Sequence, residues 1–221
     1  MKRLVIFDMD GTVLDTIEDL LGAMNHALDK HGYPLHTIPE MKTFVGNGLY
    51  QMVVRALPEG ASAEVTDAVF ADFKGYYREH LNERTRPYDG IVPLLEKLNQ
   101  LGILCAVSSN KFDYGAQLLS RAHFGERIAL TVGESETVPK KPDPTGTLLI
   151  MKTLGADAEH TLYIGDSGVD LKTAAAAGLE CLCVSWGFAG KEKLLAAGAA
   201  RIADSCGELM NGILRFFGLS L

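Results

Sequence analysis

The 221-residue chain is 47% hydrophobic and carries a formal net charge of −7. That apolar share suffices for a packed core, either one large domain or one domain with an insertion. No long basic run appears, which argues against nucleic acid as a partner. No segment is long enough to span a bilayer, and the apolar stretch before Asp8 is too short for a signal peptide. Cys105, Cys181, Cys183 and Cys206 lack the spacing of a zinc site, and three of them fall in apolar runs. Buried free thiols are expected, and with them a cytoplasmic protein.

The first element is the run Leu4-Val5-Ile6-Phe7, which ends in Asp8-Met9-Asp10-Gly11-Thr12. A short, wholly apolar run bounded by a turn signal reads as a buried strand of a parallel sheet. Ligands of open α/β sheets bind just past the carboxyl ends of such strands, so Asp8 and Asp10 stand where chemistry is expected. Two like charges about 4 Å apart at an effective dielectric near 20 repel by about 4 kcal/mol, and a divalent cation would offset that. Gly11 lets the chain turn, and Thr12 offers a hydroxyl at the rim. A calcium loop of the EF-hand kind does not fit, because its sixth and twelfth positions would be Val13 and Asp19.

From about Thr16 to Thr85 no strand is predicted. The pattern is helical over Ile17–Lys30, Pro39–Val45, Leu49–Leu57 and Ala63–Leu81. Turn chemistry at Arg86-Pro87-Tyr88-Asp89-Gly90 closes this insertion. The division expected is a catalytic α/β core over residues 1–15 and 86–221, with an all-helical cap over 16–85. Both linkers lie near the Asp8 turn, so the cap is expected to act as a mobile lid.

Beyond it, strands expected at Ile103–Val107, Ile128–Val132, Thr161–Ile164, Cys181–Val184 and Arg201–Ala203 alternate with helices. Those helices are Ile91–Leu101, Asp113–Ala122, Thr145–Leu154, Val169–Ala177 and Gly207–Phe217. Such alternation predicts a doubly wound parallel sheet, Rossmann-like in character, with right-handed crossovers. Three loops at strand ends carry polar chemistry. Ser108-Ser109-Asn110-Lys111 offers hydroxyls and an amide suited to phosphate oxygens, though Ser-Asn also caps helices. Lys140-Lys141-Pro142-Asp143-Pro144 places two lysines in a stiff loop, which by itself reads better as a solvated basic turn. Gly165-Asp166-Ser167-Gly168-Val169-Asp170 follows an apolar run and puts Asp166 and Asp170 four residues apart at a helix start.

Taken in order, these four segments resemble the motifs of the haloacid dehalogenase superfamily, most of whose members are phosphatases. The resemblance covers essentially the whole chain. It implies a magnesium-dependent phosphomonoester hydrolase in which Asp8 is the nucleophile and Asp10 the general acid and base. It implies that Ser109 and Lys141, rather than Ser108 and Lys140, hold the phosphoryl group, with Asn110 in support. The Mg2+ ligands it implies are the Asp8 carboxylate, the Asp10 backbone carbonyl and the Asp166 carboxylate, with Asp170 acting from behind them. Thr12 is expected at the substrate rim.

Phe44-Val45-Gly46-Asn47-Gly48-Leu49 and Arg55 look like the cap of phosphoglycolate phosphatases. Gly46, Asn47 and Arg55 are therefore expected to meet the leaving group, and a small phosphorylated metabolite is the expected partner. Sugar-phosphate mutases and phosphonate hydrolases of the superfamily carry a basic residue near Leu49, and the mutases a lysine near Phe112; both positions are apolar here. A mutase, a pyrophosphatase or nucleotidase, and a phosphate-binding regulatory module without turnover are the alternatives. A monomer or homodimer is expected.

Overall fold

The computed structural model describes residues 2–46 and 48–219. Its centre is strand β1 (Arg3–Phe7), whose last four residues are buried. Val5 and Phe7 join the apolar cluster on one face of the sheet, and Leu4 and Ile6 that on the other. This is the period-two alternation of a strand covered on both sides. β1 lies between β4 (Ile103–Phe112) and β6 (Thr161–Gly165). Outside them come β5 (Leu130–Glu134) on one side, and β7 (Glu180–Val184) then β8 (Ile202–Ala203) on the other. The order β5-β4-β1-β6-β7-β8 is parallel throughout. It reverses direction between β1 and β6, and ligands of open sheets bind at such a reversal.

Helices α5 (Ile91–Gln100), α6 (Asp113–Phe124), α7 (Thr145–Leu154), α8 (Gly168–Ala176), α9 (Gly190–Ala196) and α10 (Cys206–Phe216) belong to the sheet half of the molecule. Each begins and ends within two residues of its expected position, except α9, which the sequence pattern does not announce. Only Leu194 of α9 is buried, so it shows almost no apolar stripe. The strand expected at Ile128–Val132 is displaced to Leu130–Glu134 because Gly125–Arg127 forms a 3-10 turn first.

Four helices lie between the first strand and the rest of the sheet: α1 (Ile17–Lys30), α2 (Ile38–Phe44), α3 (Leu49–Ala56) and α4 (Ala63–His80). In α1 the buried residues Leu20, Ala23, Met24, Ala27 and Leu28 recur at helical spacing. They pack with Met41, Val53, Val69 and Phe73 of the other three helices. Strands β2 (Leu14–Asp15) and β3 (Arg86–Pro87) pair antiparallel where the chain enters and leaves this bundle. Two-residue strands carry no periodicity, and the pairing is visible only once the two linkers are brought together.

β4 holds the largest departure from expectation. It runs to Phe112 instead of stopping at Val107, and its register with β5 shifts between Ser108 and Phe112. Ser108 faces Val132 and Phe112 faces Glu134, so Ser109, Asn110 and Lys111 stand opposite Gly133 alone. A bulge of this kind re-aims side chains and is common beside active sites.

Candidate active site

Asp8 is the first residue past β1, and its backbone N–H donates to the carbonyl of Ile164 in β6 at 2.8 Å. The carboxylate is therefore fixed at the point where the strand order reverses. Asp166 follows β6 directly, and Asp170 sits in the first turn of α8. Ser167 and Asp170 form a capping box: Asp170 Oδ2 accepts from the Ser167 hydroxyl at 2.6 Å and from its N–H at 3.2 Å. Capping by this pair leaves Asp166 facing Asp8. Carboxylate oxygens of Asp8, Asp166 and Asp170 lie within 4.8 Å of one another.

Two glycines make room for this cluster. A Cβ on Gly11, whose φ is +89°, would stand 2.4 Å from Asp166 Oδ2, and one on Gly187 would stand 2.2 Å from the same oxygen. The Phe188 N–H, next in the chain, donates to Asp166 Oδ2 at 2.6 Å.

Burial pushes the Asp8 carboxyl up to about 7; Lys141 opposes this, while Asp170 and Asp10 add to it. Burial, with Asp8 and Asp170 beside it, also holds the Asp166 carboxyl well above its ordinary value. Three buried carboxyl groups offering hard oxygen donors suit a divalent cation such as magnesium, and a cation would relieve this crowding.

Lys141 is the resident cation at the nucleophile. Its Nζ donates to Asp8 Oδ1 at 2.6 Å, to Asp170 Oδ1 at 2.7 Å and to the Tyr163 hydroxyl at 3.3 Å. Burial opposes its charge, but Asp170 and Asp8 outweigh that and hold its pKa well above the ordinary lysine value. Asn110 positions the Lys141 loop: its Oδ1 accepts from the Lys141 N–H and its Nδ2 donates to the Lys141 carbonyl at 3.1 Å.

Asp10 is held on both oxygens. Thr16 Oγ1 donates to Oδ1 at 2.7 Å, and Lys111 Nζ lies 3.0 Å from the same oxygen. The Ser109 hydroxyl reaches Oδ2 at 3.4 Å. The Thr12 hydroxyl donates to Asp8 Oδ2 at 3.3 Å and is fully buried, so it braces the nucleophile rather than the rim.

Above these groups lies a cavity of about 170 Å³, below the roughly 300–1,000 Å³ of pockets that take drug-sized ligands. Asp8, Asp10, Lys111 and Lys141 line its floor, and the helical segment closes it with Leu20, Gly46, Leu49 and Met52. Arg55 is not placed for the role expected of it. Its Nη1 donates to the carbonyls of Phe44 and Gly46 at 2.8 and 2.7 Å, so it braces the backbone just past α2. Asn47 lies outside the described residues.

Lys111 received no role from the sequence, yet it is 2% exposed and stands in the floor of the site. Nothing in Ser-Asn-Lys-Phe distinguishes a buried lysine from a surface one. Only the bulge in β4 and the approach of Tyr77 from α4 reveal it.

This arrangement matches known proteins. The sequence pattern of the haloacid dehalogenase-like hydrolases fits residues 5–184, so the chain belongs to that family. Its activity is that of a phosphoric monoester hydrolase. It is 31% identical to a phosphoglycolate phosphatase of Pseudomonas syringae pv. syringae over 97% of this chain and 80% of that one. A phosphoglycolate phosphatase of Pseudomonas fluorescens is 32% identical with the same coverage. Among solved structures, a protein of Lactobacillus delbrueckii subsp. bulgaricus, provisionally assigned as a phosphoglycolate phosphatase, superposes with a TM-score of 0.92. It is 33% identical, over 96% of this chain and 99% of that one.

Proposed function

We propose that this chain is a magnesium-dependent phosphatase of small acidic phosphomonoesters, with phosphoglycolate its preferred substrate. The observation that carries the reading is the small cavity whose floor holds Asp8, Asp10 and Lys141 and whose roof is the helical segment. Relatives named for phosphoglycolate, similar along nearly the whole chain, point to the same substrate.

In the first step an Asp8 carboxylate oxygen attacks phosphorus in line, and the bond to the ester oxygen breaks. Asp10, protonated, gives its proton to the departing alkoxide, which leaves as an alcohol. In the second step water attacks the aspartyl phosphate, Asp10 takes its proton, and inorganic phosphate leaves with Asp8 restored. Lys141 and the Ser109 hydroxyl hold phosphoryl oxygens through both steps. Thr16 and Lys111 keep Asp10 aimed. The Asp8 and Asp166 carboxylates and the Asp10 carbonyl would hold magnesium, with Asp170 behind them. When bound, the ion neutralises phosphoryl charge and orients the nucleophile.

Residues 16–85 act as a cap that excludes water and contacts the leaving group. A cytoplasmic location accords with the four free cysteines, and no described helix is long and apolar enough to cross a membrane.

The test is a panel of phosphomonoesters and pyrophosphate assayed with magnesium, with and without a sugar bisphosphate activator. Phosphoglycolate is expected to give the highest kcat/KM. A panel in which it ranks below nucleotides, sugar phosphates or pyrophosphate overturns the substrate. Dependence on the bisphosphate would make the enzyme a mutase.

A further inference from the structure

The cavity floor carries two buried lysines, each beside a different carboxylate. Lys141 is committed to Asp8 and Asp170. Lys111 is committed to Asp10, and its second partner is the Tyr77 hydroxyl at 2.5 Å. The Tyr77 ring also lies 4.7 Å from the Lys111 ammonium. Tyr77 is fully buried on α4, so a residue of the helical segment fixes a cation of the sheet half.

Placing an ammonium in such a site is costly unless it is paired. The Asp10 carboxylate 3.0 Å away and the Tyr77 hydroxyl supply that pairing for Lys111. An ammonium has three donors. Two are directed at Asp10 and Tyr77, and the residue borders the cavity.

We propose that Lys111, held by Tyr77, is the specificity-determining residue that binds the carboxylate of the leaving group. The inference rests on the acidic-substrate reading given above. The acid that protonates the leaving oxygen must lie about 2.6–3.2 Å from it. In phosphoglycolate the carboxylate carbon is two bonds from that oxygen, a span of about 2.5 Å. A cation 3.0 Å from Asp10 is therefore within one carboxylate length of the group to be read.

The other cations serve less well. Arg55 braces the backbone just past α2, and Lys42 and Lys193 stand exposed at the cavity wall, where solvent weakens their pull. A two-carbon leaving group has little apolar surface to recognise, so one desolvated ammonium carries most of the discrimination.

The experiment compares phosphoglycolate with ethyl phosphate, in which a methyl replaces the carboxylate, using the wild type, Lys111→Met and Tyr77→Phe with magnesium present. The wild type is expected to prefer phosphoglycolate. Lys111→Met should lose about 10- to 100-fold more kcat/KM on phosphoglycolate than on ethyl phosphate, mainly through KM. Tyr77→Phe should shift the ratio several-fold in the same direction. Equal losses on both substrates, carried by kcat, would mean that Lys111 only aims Asp10, and would overturn the inference while the substrate reading stands. A wild type without preference would overturn both. If Lys111→Met does not fold by circular dichroism, Tyr77→Phe decides: an unchanged ratio overturns the inference.

Discussion

Asp8 and Asp10 are two residues apart and live in different environments. Asp8 is buried against Lys141, Asp166 and Asp170, whereas Asp10 accepts from a threonine, a serine and a lysine. One is placed to attack and the other to move a proton. Asp8→Asn should therefore lower turnover by roughly 10,000-fold or more while the fold survives, because an amide is a poor nucleophile and Lys141 keeps Asp170 as its partner. Asp10→Asn should cost roughly 100- to 10,000-fold. Steady-state assays with circular dichroism on each variant check this, and near-normal turnover by Asp8→Asn would remove the covalent mechanism. Lys141 was separated from Lys140 only by the resemblance to a family pattern, whereas the paired aspartates and Asp166 with Asp170 were legible, because charged residues at the ends of apolar runs stand out by spacing. Lys111 was not, since its burial depends on a tyrosine 34 residues earlier in the chain.

At the scale of elements, the two crossings between the sheet and the helical segment are tied to each other. β2 pairs with β3, and Asp19 in the first turn of α1 receives the returning chain. Its carboxylate accepts from the N–H groups of Glu83, Arg84 and Thr85 at 3.2, 2.9 and 2.8 Å, and from the Thr85 hydroxyl at 2.7 Å. One acidic side chain thus satisfies a turn of backbone that helix and sheet leave unpaired. Asp19→Ala should destabilise the protein by about 2–4 kcal/mol in urea titrations and lower kcat/KM, since Tyr77, Leu49 and Met52 depend on where the helices sit. A change in stability below about 0.5 kcal/mol would show that the crossings hold without it. The helices were legible from their periodicity. The tie between the crossings was not, because Asp19 has the look of an ordinary first-turn acid at a helix N-terminus.

For the molecule as a whole, the site gathers carboxylates at a place where the fold has withdrawn water from them. A ligand that binds only the folded state adds stability by mass action, about 2.7 kcal/mol at a hundred times its Kd. Magnesium at that excess should raise Tm by about 5–10 °C, given the usual sensitivity of chains of this size. Excess chelator should abolish turnover, magnesium should restore it, and calcium should support it poorly, because its larger and looser coordination shell misplaces the nucleophile. Thermal unfolding and activity read in parallel check this. An unchanged Tm with full activity in chelator would remove the metal from the acidic cluster.

By itself the sequence determined the alternation of strand and helix, the helical insertion after β1, and the carboxylates at the strand ends. Each of these is written in local pattern: apolar runs, helical spacing, and charge placed beside turn residues. What only the tertiary structure decided are relations between distant segments. The bulge in β4 turns Lys111 inward, Tyr77 meets it from α4, Asn110 grips the Lys141 loop, and Arg55 is drawn onto the backbone just past α2 and away from the cavity. A side chain's burial and partners are properties of the packed whole, and a run of neighbouring residues carries no record of them.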